Sequence, residues 1–152
     1  MLGKLDLPNR SREFARCRYD NFLGVRPLHA PLVIWVVDDD PSVRSGLSDL
    51  LSSYDYDVET FESGGSLLAQ AREVQPDCII SDVQMPEMSG VEMLLRLLSA
   101  GKNVPTIFIT AYPTPELQQQ AFASGACALL NKPFSARELT AAIRAAVKLD
   151  RD

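Results

Sequence analysis

Three kinds of side chain stand at the ends of apolar runs in this sequence: carboxylates at Asp38, Asp39, Asp40 and Asp82, a hydroxyl at Thr110 and an ammonium at Lys132. Carboxylate oxygens suit a hard divalent cation such as Mg2+, which takes oxygen ligands and keeps several waters. A hydroxyl and an ammonium suit the oxygens of a phosphoryl group. Together they describe a crevice for a divalent cation and phosphoryl chemistry. Unpaired, the carboxylates would oppose one another, since two charges about 4 Å apart cost about 4 kcal/mol at an effective dielectric of about 20. Mg2+ and Lys132 offset that repulsion. Lys132 can pair with Asp82 at rest and with a phosphoryl oxygen once one is present. Asp82 is then the carboxylate left to act as nucleophile, making an acyl phosphate.

Each residue also has an ordinary structural role open to it. An aspartate at a strand end often caps the next helix, and for Asp40, immediately before Pro41, that reading is preferred. One helix start needs one cap, so Asp38 and Asp39 are less well explained that way. Thr110 alone is an ordinary β-branched strand residue, and Lys132 alone a solvated loop lysine. Their joint occurrence at the ends of four runs is what argues for a site.

The elements that must position them follow from periodicity. Residues 32–37 form a continuous apolar run of β type, and Pro41 stands where a first helical residue belongs. Val43, Leu47, Leu50, Leu51 and Tyr54 then recur at helical spacing. A weaker strand over 57–61 precedes a helix through Leu67, Leu68 and Ala71. A third strand covers 78–81, and Val91, Leu94, Leu95 and Leu98 form the stripe of the next helix. A strand over 105–109, a helix over 116–124, a strand over 126–130 and a helix over 135–149 complete the pattern. Five βα units with continuous apolar strands imply an α/β fold: a parallel sheet covered on both faces, with right-handed crossovers. Ligands of such sheets lie outside the carboxyl ends of the strands.

Bulk properties narrow the alternatives. A chain of 152 residues can bury one good core. Although 46% of it is hydrophobic, no apolar run approaches the roughly 18 residues that a membrane-spanning helix needs. The start has no apolar signal segment, and a cytoplasmic address is expected. Cys17, Cys78 and Cys127 are odd in number and far apart, against both a disulfide framework and a zinc site; Cys78 and Cys127 read as small buried hydrophobes. Residues 1–30 hold six Lys/Arg against three acids, a net +3, while the remainder carries −8. The break marks a basic extension, expected to be partly disordered or loosely helical, ahead of an acidic domain over 31–150. An overall charge of −5 does not suggest a nucleic-acid or membrane surface.

Four stretches carry a resemblance: Val36-Val37-Asp38-Asp39-Asp40-Pro41, Ser81-Asp82-Val83-Gln84-Met85-Pro86-Glu87-Met88-Ser89-Gly90, Ile109-Thr110-Ala111 and Asn131-Lys132-Pro133-Phe134. In order and spacing they resemble the receiver domain of two-component response regulators, over about residues 32–149. The resemblance implies a flavodoxin-like doubly wound (βα)5 sheet of strand order 2-1-3-4-5. It implies Asp82 as phosphoacceptor, with Mg2+ held by Asp39, Asp82 and the Gln84 main-chain carbonyl and assisted through water by Asp38. Thr110 and Lys132 would bind the phosphoryl oxygens, and the Lys132-Pro133 peptide would be cis. A sensor histidine kinase or phosphotransfer protein would be the donor. The response would be a switch of the last helix, the fifth strand and the helix over 116–124, often with a phosphorylation-dependent homodimer. Such a chain is a signalling phosphoacceptor, with only self-phosphorylation and self-dephosphorylation as chemistry.

One position departs from the pattern. The family couples Thr110 to an aromatic residue three positions before the lysine, and here that residue is Leu129. A receiver-like scaffold that no longer switches is therefore the rival reading. A phosphatase of the haloacid dehalogenase type would carry its nucleophile in a DxDGT-like motif on the first strand, which Asp38-Asp39-Asp40-Pro41-Ser42 is not. Gly64-Gly65 does not make a dinucleotide-binding turn. The output is not readable, because the last helix leaves no room for a further module, so the chain is either a single-domain regulator or part of a longer protein. Pro113 and Pro115 should stiffen the loop after Thr110. Gln84 and Tyr112, each two residues beyond a site residue, match positions that flank the path of hydrolytic water. Replacing Gln84→Asn and Tyr112→Glu together is expected to change the dephosphorylation rate of the phosphorylated protein, and an unchanged rate would refute their role in tuning phosphoryl lifetime.

Overall fold

The structure is a computed structural model that describes residues 30–151; the basic extension therefore lies almost entirely outside the described residues. Five strands alternate with five helices: β1 Val33–Val37, α1 Pro41–Ser53, β2 Asp57–Phe61, α2 Gly64–Ala71, β3 Cys78–Asp82, α3 Gly90–Ser99, β4 Thr106–Thr110, α4 Pro115–Ala123, β5 Ala128–Asn131 and α5 Ala136–Arg151. The strands form one sheet of order β2-β1-β3-β4-β5, with every pairing parallel. This is the flavodoxin-like arrangement expected. The unbroken apolar run of β1 makes sense in it, because a central parallel strand has a helix layer on each face.

Alternate residues of the strands feed the two faces. Ile34, Val36, Ile80, Ile107 and Ile109 pack with Leu47 and Leu51 of α1 and with Leu139, Ile143 and Val147 of α5. Val33, Trp35, Val37 and Ile79 pack on the other face with Leu67 and Ala71 of α2 and Met93 and Leu97 of α3. A third cluster, of Val83, Leu94, Phe108, Ala121 and Ala126, seats α4 beside α3. Each helix start is tied by a side chain, as orphan N–H groups require. Asp40 Oδ1 accepts the Ser42 N–H at 2.9 Å, with Pro41 at the first helical position, so Asp40 is the cap the sequence suggested. Ser135 and Glu138 form a reciprocal capping box at α5.

Two expectations need correction. Cys127 is exposed, whereas Cys78 is buried. Cys127 donates its N–H to Thr106 O, but it precedes an edge strand, where the sheet continues on one side only. β5 also begins at Ala128 and not at 126, because the Ala126 N–H is spent on Ala121 O in the turn that leaves α4. Among the described residues, no helix is long and apolar enough to cross a membrane.

Two contacts anchor the segment after β3. The Gly90 N–H donates to Val83 O at 2.8 Å, folding the start of α3 onto the strand end. A Cβ at Gly90 would lie 2.5 Å from the Asp82 carbonyl oxygen and 2.9 Å from Phe108 Cε1. Backbone on one side and a buried ring on the other cannot both yield. Gly90→Ala is therefore expected to destabilise the fold by about 1–3 kcal/mol, read as a lower midpoint in denaturant at unchanged slope.

Candidate functional site

The order of the sheet reverses at β1, which lies between β2 and β3, so β1 and β3 end side by side. Val37 pairs with Ser81, which leaves Asp38 and Asp82 at neighbouring strand ends. Carboxylate oxygens of Asp38, Asp39 and Asp82 lie within 4.8 Å of one another. Lys132, just beyond β5, reaches across to them. Its Nζ is 3.4 Å from Asp38 Oδ2 and 3.8 Å from Asp82 Oδ2. The ammonium thus straddles two carboxylates and sits nearer Asp38, where sequence alone suggested a pair with Asp82. The Lys132-Pro133 peptide is cis.

The three acids differ in setting. Asp38 is buried, at 1% exposure, and its Oδ1 accepts the Asp40 N–H at 2.9 Å. Asp39 is exposed. The Asp82 side chain is 14% exposed and takes the Gln84 N–H on Oδ1 at 3.3 Å. Burial raises the Asp82 carboxyl above the usual carboxylate range, and Asp38 adds to this; Lys132 and the Gln84 N–H pull the other way, and Asp39 raises it further. Thr110 is buried, and its Oγ1 accepts the Tyr112 N–H at 3.2 Å, so the hydroxyl is held by its own loop. Tyr112 itself is 74% exposed.

Leu129 pairs in register with Phe108 and packs against the cluster of Val83, Leu94, Phe108 and Ala121. The structure therefore brings together Asp38, Asp39, Asp82 and Lys132, and places Thr110 at the end of the next strand. Sequence reasoning missed three supports. Ser81 is fully buried and donates its hydroxyl to Asp82 O at 2.8 Å. Glu87 takes a φ of 71° in the loop after Asp82, an unusual conformation for a side-chain-bearing residue. Arg44 donates to Asp38 O at 2.6 Å; the available signal was an arginine one helical turn past the Asp40 cap.

The family model of the response regulator receiver domain matches residues 34–144. The chain belongs to the response regulator receiver family. Among curated relatives it is 39% identical over 117 residues to the response regulator protein TodT of Pseudomonas putida, covering 77% of this chain and 52% of that one. It is 37% identical over 119 residues to the transcriptional regulatory protein TdiR of Thauera aromatica, covering 78% and 52%. The receiver chain thus spans about half the length of these relatives. The crystal structure of FixJ-N superposes on it with a TM-score of 0.74 at 31% identity, covering 78% of this chain and 95% of that one. Receiver domains of this family are signalling domains and not classical enzymes.

A raised carboxyl pKa has a sign that can be checked. The folded receiver binds the Asp82 proton more tightly than the unfolded chain, so ionised Asp82 destabilises the metal-free fold. That penalty is absent below the unfolded value of about 3.9, grows as pH rises to the folded value, and stays complete above it. Asp82→Asn is expected to melt higher than the parent protein at pH 7 without Mg2+, with the gain vanishing in acid near the unfolded value. Thermal melts across pH in a chelator check this.

Proposed function

We propose that Asp82 takes a phosphoryl group from a sensor histidine kinase or phosphotransfer protein in a Mg2+-dependent reaction, within a receiver domain over 31–150 preceded by an extension over 1–30. The observation that carries the reading is the placement of a burial-raised carboxylate between two further acids and one ammonium at the switch point of the sheet. The donor set fits Mg2+, being hard oxygens converging on one point. Asp39, Asp82 and the Gln84 carbonyl would hold it, with Asp38 acting through water. When bound it supplies charge neutralisation for the transferred phosphoryl group.

The residues divide the remaining work. An Asp82 carboxylate oxygen attacks phosphorus, the donor's P–N bond breaks, and the electron pair leaves with the imidazole nitrogen, which takes up a proton. Lys132 Nζ moves from the carboxylates to a phosphoryl oxygen, a short shift from a position 3.8 Å from Asp82. Thr110 exchanges its local contact with the Tyr112 N–H for donation to another phosphoryl oxygen. The product adds about −1.5 to −2 charges at the strand ends, which biases the face of α4, β5 and α5 toward partner binding or homodimerisation.

A net charge of −5, with −8 on the domain that follows the basic extension, speaks against nucleic acid as a direct ligand of this chain, and a cytoplasmic location suits the donor. The relative TdiR is a transcriptional regulatory protein, and control of transcription is the output we carry to this chain. Leu129 favours a second reading, a scaffold that accepts phosphate without the usual switch.

Incubation with Mg2+ and acetyl phosphate, or with beryllofluoride, tests both. Modification of Asp82 is expected, abolished by Asp82→Asn and slowed about 100-fold or more by Lys132→Ala. No modification of the parent protein would overturn the phosphoacceptor reading. Modification without change in amide spectra of α4, β5 and α5 or in oligomeric state would favour the scaffold.

A further inference from the structure

Asp38 is held at every polar group it has. Its N–H donates to Phe61 O at 3.2 Å, its Oδ1 accepts the Asp40 N–H, and its Oδ2 faces Lys132 Nζ at 3.4 Å. The remaining group, the main-chain carbonyl, accepts from Arg44 Nη1 at 2.6 Å. Arg44 stands on α1, with its own N–H given to Asp40 O, so its guanidinium reaches back over the first turn to the end of β1. The bond is charge-assisted, short and partly shielded from water.

We propose that Arg44 is the positioning residue for the acidic pair, fixing the Asp38-Asp39 backbone so that Asp39 presents its carboxylate to the cation. The target of the guanidinium is what points to this role. A cation beside three carboxylates would ordinarily pair with one of them and occupy the oxygens that Mg2+ needs. By bonding the carbonyl, Arg44 leaves the carboxylates available while holding the corner that carries them. Asp39 is exposed, and its direction follows from the backbone it shares with Asp38. The proposal rests on the phosphoacceptor reading for its purpose and on the hydrogen bonds above for its mechanism.

Position and charge make opposite predictions. If Arg44 mattered only as a nearby positive charge, its removal would tighten Mg2+ binding by lowering repulsion. If it positions the pair, removal weakens binding. Mg2+ affinity of the full chain is measured by calorimetry, or through the single tryptophan, Trp35, which lies on β1 below the site. Arg44→Met is expected to weaken Mg2+ binding about tenfold, the equivalent of one lost charge-assisted bond. Beryllofluoride modification of Asp82 at saturating Mg2+ should stay within about twofold of the parent, and Arg44→Lys, which keeps a charged donor, should recover most of the affinity. In metal-free protein, the Asp40 amide should exchange faster in Arg44→Met than in the parent. Unchanged or tighter Mg2+ binding in Arg44→Met overturns the proposal, including when its melting temperature falls. Failure of beryllofluoride to modify the parent protein would instead strike the phosphoacceptor reading, while the Mg2+ affinities would still decide the role of Arg44.

Discussion

Two carboxylates at the ends of adjacent buried strands constrain much of this molecule. Asp38 and Asp82 are brought together by the parallel pairing of β1 with β3, and the pairing is obligatory once both strands are apolar on both faces. Like charges in a half-buried setting repel, and the structure offsets this locally in two ways. Lys132 arrives from beyond β5 to sit between them. Backbone N–H groups of Asp40 and Gln84 each donate to one carboxylate. The raised affinity of Asp82 for a proton expresses the repulsion and desolvation that are left over. A site balanced in this way gains when a divalent cation arrives, which makes stability and ligand binding two readings of one electrostatic arrangement.

Most strands and helices were legible because each has a pattern of its own length: short apolar runs against stripes at helical spacing. The Asp40-Pro41 start of α1 could be read because cap and first-turn residues have distinct chemistry. Features that depend on how elements meet could not. Cys127 sits in an apolar run, yet faces outward because β5 is an edge. Lys132 lies nearer Asp38 than Asp82 because the ammonium's place is set by three strand ends at once. Gly90 is a small residue in a motif when read in the chain; only the approach of α3 to the Asp82 carbonyl and the Phe108 ring shows that nothing larger fits. Arg44 is an arginine one helical turn past the Asp40 cap, but its partner is a backbone carbonyl, and which carbonyl it reaches is set by the fold.

The loop that carries Asp82 into α3 touches two clusters at once. Val83 and Gly90 meet the Phe108 group, whereas Met85 and Met88 pack with the Trp35 group on the face of α2 and α3. A Cβ at Gly64 would lie 2.8 Å from Met88 Sδ, so the loop is held against the start of α2 as well. Methionine thioethers fill irregular space and adapt to small shifts at low cost. The side of the loop facing α2 is accordingly the compliant one, and the side facing β4, closed by Gly90 against backbone and ring, is the stiff one.

Leu129 can be placed within that contrast. Its register partner, Phe108, is fully buried and lies two residues before Thr110, so Phe108 and Thr110 point to the same face of β4. The aromatic bulk at this level of the sheet is therefore in the strand that carries the hydroxyl, and the residue beside it in β5 is aliphatic. A ring at 129 could swing between an outer and an inner position; a leucine packed against the Phe108 cluster has less to swing and more to pass on by contact. Leu117 of α4 and Leu129 of β5 pack against the same buried cluster as Phe108, and in a densely packed core a shift at one member presses on the others. A leucine at 129 lacks a ring's rotamer switch, yet it keeps β5 packed on the same buried cluster that seats α4, so movement at the Asp82 end of the sheet still has a packed neighbour on that side to press against.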